Sequence, residues 1–137
     1  MRPQYFTLEE LLYSRTAVEK RIVNIPSFGQ VSMLCLFAVV VLDPIRRLHG
    51  SAIKVNSGFR SPALNKAVGG VADSHHMCND GYVAADITTG SLSSNRVLFD
   101  LIHRSTIPYC ELICENGGEW LHVSWNPQKG RERAIMR

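Results

Sequence analysis

Three stretches of this chain concentrate residues able to do chemistry. Asp86 lies in Val83-Ala84-Ala85-Asp86-Ile87-Thr88, an otherwise apolar run. A carboxylate there is costly to bury unless it is paired, hydrogen-bonded or bound to a metal. His122 is similarly enclosed by Leu121 and Val123, and Ser74-His75-His76 sits in a polar segment opened by Gly69-Gly70. Two imidazoles and one carboxylate form a common three-ligand set for catalytic zinc, with the fourth position left to water. Zinc lowers the pKa of that water to about 7, and a nearby carboxylate can take its proton. Each residue also has an ordinary role open to it: a strand histidine is commonly structural, and Asp86 could cap a turn or pair with an arginine. The cysteines Cys35, Cys78, Cys110 and Cys114 are irregularly spaced, which suits neither a disulfide framework nor a four-cysteine zinc site.

The elements that must position these residues follow from patterning. The 137 residues fit one domain, 1–137, with 45% hydrophobic and 20% charged residues and a net charge of +3. That composition excludes disorder, and the charge is too small to imply nucleic acid, though it favours approach to an anionic polymer such as a cell wall. Thr7-Leu8-Glu9-Glu10 reads as a capping box for a helix to about Arg15. Asn24-Ile25-Pro26-Ser27 then breaks the chain before a longer helix ending near His49-Gly50, with a kink expected at Pro44. Its apolar run, Val31 to Leu42, is shorter than the roughly 20 residues a membrane-crossing helix needs, so a buried helix and no membrane insertion are expected. Ala52 to Asn56 and Val83 to Thr88 read as strands, Ala63 to Ala67 and Ser94 to Arg104 as helices. Glu111 to Glu115 and Trp120 to Trp125 read as a hairpin around Asn116-Gly117-Gly118-Glu119. The basic tail Lys129-Gly130-Arg131-Glu132-Arg133 reads as solvated. Helices followed by hairpin-linked strands predict an α+β domain with a mainly antiparallel sheet flanked by helices.

Several of these stretches occur in an order that resembles one family. Ser57-Gly58-Phe59-Arg60-Ser61-Pro62, Asn65, Gly69-Gly70, Ser74-His75-His76, Gly81, Ala84-Ala85-Asp86 and Trp120-Leu121-His122-Val123-Ser124 follow one another, after Val41-Leu42-Asp43-Pro44-Ile45-Arg46. They are similar to the zinc D-alanyl-D-alanine carboxypeptidase and L-alanyl-D-glutamate endopeptidase family, which includes many phage endolysins. The similarity runs from about Phe6 to Trp125. It implies a hedgehog/DD-peptidase-like fold, a Zn2+ cofactor, and hydrolysis of peptidoglycan stem peptides containing D-amino acids. Carried over by position, it implies His76, Asp86 and His122 as metal ligands. Arg60 matches an arginine that holds substrate and polarises the scissile carbonyl or binds a carboxylate, a task suited to guanidinium; ordering its own loop is the alternative. Ser74 matches a polar residue lining the substrate site.

Two departures from the family pattern stand out. His76 and Asp86 are ten positions apart, a wider gap than relatives leave, although a longer loop costs little closure entropy. The residue before His76 is His75, which makes it a rival ligand. For the catalytic base the resemblance offers Glu119, three before His122, or Glu115 at the end of the preceding strand. If Gly117-Gly118 centre the turn, Glu115 pairs with Trp120 and Ile113 with His122, so Glu115 shares the His122 face. Glu119 then points the other way unless a bulge intervenes, yet its spacing recurs more widely in the family.

The resulting expectation is a monomeric murein peptidase of phage or prophage type, made in the cytoplasm without a signal peptide and acting on the wall after release by a holin. An inactive zinc-retaining binding module, or a phage structural component of the same fold, is the alternative.

Overall fold

The computed structural model describes residues 2–137. Alternating side chains build a five-stranded sheet from β1 (Lys54–Ser57), β2 (Val83–Thr88), β3 (Glu111–Glu115), β4 (Trp120–Trp125) and β5 (Arg133–Met136), in the order β1-β2-β4-β3-β5. All neighbours are antiparallel except β3 and β5, which run parallel. Val83, Ala85 and Ile87 of β2, Leu121, Val123 and Trp125 of β4, and Leu112 and Cys114 of β3 belong to the core. Period-two alternation therefore sends Ala84 and Asp86, His122 and Ser124, and Glu111, Ile113 and Glu115 to the opposite face. One face of the sheet is a hydrophobic floor, and the other carries Asp86, Glu111, Glu115, His122 and Ser124, while Glu119 lies in the turn before β4. The fold is α+β, as expected.

Helices cover the apolar face. A capping box at Thr7 and Glu10 starts α1 (Leu8–Leu12), which ends earlier than its sequence suggests. Ser14 accepts from the Ala17 amide and starts α2 (Arg15–Lys20), an element the sequence reading did not anticipate. A second capping box, Ser27 with Gln30, opens α3 (Phe28–Phe37). The disturbance expected at Pro44 takes the form of a π-helical turn, Ala38–Leu42, before α4 (Asp43–His49). Proline has no N–H to give, and the widened turn lets the helix pass its ring. Phe28–His49 is thus one run of 22 residues, long and apolar enough by length and composition to cross a membrane; counting only the apolar stretch understated it. Leu34, Phe37, Ala38, Val41, Leu42 and Ile45 from this run are buried in the core.

Helix α5 (Pro62–Ala67), capped by Ser61, follows β1, and α6 (Leu92–Arg104), capped by Ser91, follows β2. The tail, residues 129–133, is exposed to solvent, as expected, but it is held in place rather than loose. Arg131 donates to the carbonyls of His103, Ser105 and Ile107 and lies over the Tyr109 ring. The chain is thereby turned to lay β5 along the edge of β3, with Arg133 beside Glu111.

Two loops close over the polar face. Residues 58–61 run beside the residues after Ser74, with the Arg60 amide donating to the His76 carbonyl at 2.9 Å. The extra residues between His76 and Asp86 form a compact turn in which Cys78, Asp80 and Gly81 have positive φ. Gln30 donates to the Met77 carbonyl and Asn126 to the Asp80 carbonyl, anchoring it. Gly58 has no room for a side chain, because a Cβ would overlap the Leu11 carbonyl that receives the Phe59 amide. Gly58→Ala is therefore expected to cost about 2 kcal/mol or more, the range for overpacking against backbone, read as a lowered midpoint in urea unfolding.

Candidate metal centre

Strand pairing sets the centre. Asp86 lies directly opposite His122 in the β2–β4 register, and His122 opposite Ile113 in β3–β4. Asp86 Oδ1 is 2.9 Å from His122 Nδ1 and 3.3 Å from His76 Nε2. The three ligand atoms lie within 4.8 Å of one another. Ligand atoms about 2.0–2.2 Å from a tetrahedral zinc sit roughly 3.3 Å apart, so the set needs little closure to fit. His76 is buried at the end of its loop, where a 3₁₀ turn over His75–Met77 is started by Ser74, whose hydroxyl accepts from the His76 amide.

The second nitrogen of each ring fixes which nitrogen can bind a metal. His76 Nδ1 is 2.7 Å from the Gly58 carbonyl oxygen. A carbonyl only accepts, so Nδ1 carries the hydrogen and Nε2 keeps the lone pair facing Asp86. Burial lowers the His76 pKa despite the Asp86 charge, which favours that neutral ring. Burial would raise the Asp86 carboxyl, but the two flanking imidazoles, with the hydrogen bond from His122, outweigh it and hold it below the usual range. His122 meets a carboxylate at each nitrogen, Asp86 at Nδ1 and Glu111 Oε1 at 3.5 Å from Nε2. Burial opposes its charging, but hydrogen bonds to Asp86 and Glu111 win, and its pKa is raised to about 9.

A second trio, His75, Glu111 and His122, also brings ligand atoms within 4.8 Å of one another. It shares His122, whose neutral ring offers one lone pair, so the two trios exclude each other. Glu111 is already held by Arg133 Nε at 2.6 Å. His75 lies flat on the Tyr82 ring, centroids 3.8 Å apart, and its Nδ1 is 3.2 Å from Glu111 Oε1 without an aligned hydrogen bond. The trio of His76, Asp86 and His122 is the better donor set. Neither trio contains a cysteine, all four cysteines are free, and burial pushes the Cys78 thiol up to about 12.

The other anticipated residues divide. Arg60 donates through Nε to Ser57 and Nη1 to Asn65, while Nη2 makes an ion pair with Asp86 Oδ2 at 3.5 Å. It orders its loop and also faces the centre. Arg60, Ser74, His75 and Glu115 line an open cleft of about 600 Å³ together with the trio. Glu119 does not line this cleft; it is exposed, just past a turn in which Gly118 and Glu119 amides both bond the Glu115 carbonyl. No bulge turns it inward, so the weight its spacing gave it is not matched by its position. Glu115 faces the cleft and pairs with Arg137 at 2.9 Å. Sequence reasoning missed Glu111, Arg133 and Arg137. The alternation of Glu111, Ile113 and Glu115 across from His122 is the signal that could have found Glu111; the two arginines depend on a strand read as tail.

The family described as Peptidase M15 matches residues 4–124. No curated protein matches the chain. The matched span covers every candidate site residue named from the sequence and stops before β5.

Because the folded His122 pKa, about 9, exceeds the ordinary 6.5, the folded state holds this proton more tightly than the unfolded chain. That stabilisation is complete below the ordinary value and is lost as pH rises through the folded one. In chelator-treated protein the thermal midpoint is expected to fall between about pH 6.5 and about pH 9, and the fall should be absent in His122→Asn. A flat profile in the parent protein would contradict the doubly flanked ring.

Proposed function

The chain belongs to the peptidase M15 family, whose members are zinc-dependent peptidases, and from that premise we propose that it hydrolyses peptide bonds in peptidoglycan stem peptides, with His76, Asp86 and His122 holding the zinc. The observation that carries this reading is the convergence of two imidazole nitrogens on one Asp86 oxygen at the floor of an open cleft. Zinc held there supplies Lewis acidity, polarising a carbonyl and making water acidic enough to attack at neutral pH.

The chain's own residues account for the rest. His76 and His122 project from different elements, so the donor set is rigid only when β2, β4 and the loop are folded together. Glu115 is offered as the proton carrier. It lies diagonally across β3–β4 from His122 on the same face, a separation long side chains span. As a carboxylate it can accept a proton from water and return it to the leaving amine. Arg137 Nε donates to its Oε1 and orients it. Arg60 carries a permanent charge beside Asp86 and can donate to a substrate carbonyl or carboxylate through its guanidinium. Ser74 and His75 also line the cleft. A cleft of this size accommodates a short extended peptide.

Purified cell wall incubated with the protein is expected to release new amino groups, and a chelator to stop the release until zinc is restored. Mass spectrometry of the products identifies the bond and separates an endopeptidase from a carboxypeptidase. Release of no amino groups by the parent protein would leave a binding module as the reading. Glu115→Gln is expected to lower kcat by about 10²- to 10⁴-fold, the usual contribution of a general base, with Glu119→Ala close to the parent. The reverse ranking would return the role to Glu119.

A further inference from the structure

Glu111 stands one diagonal step from His122 on the side opposite Glu115, because its strand partner is Ser124 while that of His122 is Ile113. Its two oxygens have separate partners. Oε2 receives Arg133 Nε at 2.6 Å, and Oε1 faces His122 Nε2 at 3.5 Å. Arg133 reaches this position only because β5 runs parallel to β3 with Arg133 paired to Glu111. It lies beyond the residues matched by the family.

We propose that Arg133 and Glu111 form an outer support for the metal centre: Arg133 holds Glu111, and Glu111 orients the His122 ring so that Nδ1 meets His76 Nε2 and Asp86 Oδ1 at one point. The inference rests on the reading of those three residues as metal ligands. Its logic is that of any imidazole ligand. A ring that binds through Nδ1 must carry its hydrogen on Nε2, and a carboxylate at Nε2 both selects that tautomer and makes Nδ1 a stronger donor. His76 has the Gly58 carbonyl for the same purpose; Glu111 is the only side chain with an oxygen this close to His122 Nε2 among the described residues. A free glutamate would swing between His75 and His122, since Oε1 lies near both rings. The bond from Arg133 takes one oxygen and fixes the plane of the carboxylate, which leaves the other facing the rings. Glu111 and Arg133 are positioning residues here; neither is required to touch substrate.

The test measures zinc affinity of the chelator-treated full chain by competition with a chromophoric chelator, and the visible spectrum after cobalt is added. Glu111→Ala is expected to weaken zinc binding by about 10- to 100-fold, the usual effect of losing such a partner. Arg133→Met is expected to weaken it by a smaller factor, about 3- to 10-fold, and Arg133→Lys to recover most of that loss. Arg137→Met, which removes the other β5 arginine and leaves Glu111 alone, should match the parent within about twofold. The cobalt spectrum should keep its shape in all of them, because the ligands are unchanged. Should Glu111→Ala not fold, Glu111→Gln keeps the shape and one acceptor, and an intermediate loss is expected of it. Parent-like affinity in the Glu111 and Arg133 variants overturns the inference while leaving the metal reading intact. An equal loss in Arg137→Met assigns the effect to the strand as a whole, and a changed cobalt spectrum in the Glu111 variant makes it a ligand; either overturns the inference. A parent protein that binds neither zinc nor cobalt overturns both readings.

Discussion

The burial of one carboxylate governs the arrangement of this protein. Asp86 sits on a central strand with only a small part of its side chain exposed, in surroundings where an unpaired charge is costly. It is kept ionised by two imidazoles and a guanidinium that come from three other segments. The most direct of these contacts follows from strand register, since Asp86 and His122 face each other across β2 and β4. A slip of one residue in that pairing would send one partner into the hydrophobic floor. The apolar alternation of the two strands therefore fixes the chemistry on the other face as firmly as it fixes the core.

Around that pair, rings and carboxylates are held by their unused atoms. His76 is tied through Nδ1 to the Gly58 carbonyl, and the same loop is tied back by the Arg60 amide. This reciprocity explains why two glycine-bearing loops, distant in the chain, must pack before a donor set exists. It also explains why a wide gap between His76 and Asp86 is tolerated. The additional residues close on themselves and on Gln30 and Asn126, so they do not displace the histidine.

Strand β3 places acidic residues on both sides of His122, and β5 answers each with an arginine. The pairs are comparable in geometry and different in surroundings. Glu111 is crowded by two imidazoles, and their proximity, His122 foremost, together with Arg133 holds its carboxyl far below the usual range even against burial. Among the described residues Glu115 has Arg137 as its one charged partner. A group that must exchange a proton is better served by the second environment, and a group that must hold a ring by the first.

The residues themselves determined a good deal. A carboxylate among Val83, Ala85 and Ile87 demands a partner whatever the fold, and capping boxes at Thr7 and Ser27 act within one turn of chain, as local signals do. The hairpin register was legible because the turn residues Asn116, Gly117 and Gly118 accept the positive φ it requires, and that register put Glu115 and His122 on one face. The ordered motifs pointed to the peptidase family before any fold was seen. What local sequence could not hold was decided by contacts between distant segments. The last residues have too little pattern to read as a strand, and Arg133–Met136 forms β5 only because β3 offers an unpaired edge and Arg131, in the basic tail before it, finds the carbonyls at the end of α6. Glu111 gained its place beside His122, and Glu119 lost its own, for the same reason: spacing along a chain says which residues are near in sequence, while the face a side chain occupies is set by pairing, turn geometry and burial across the whole sheet.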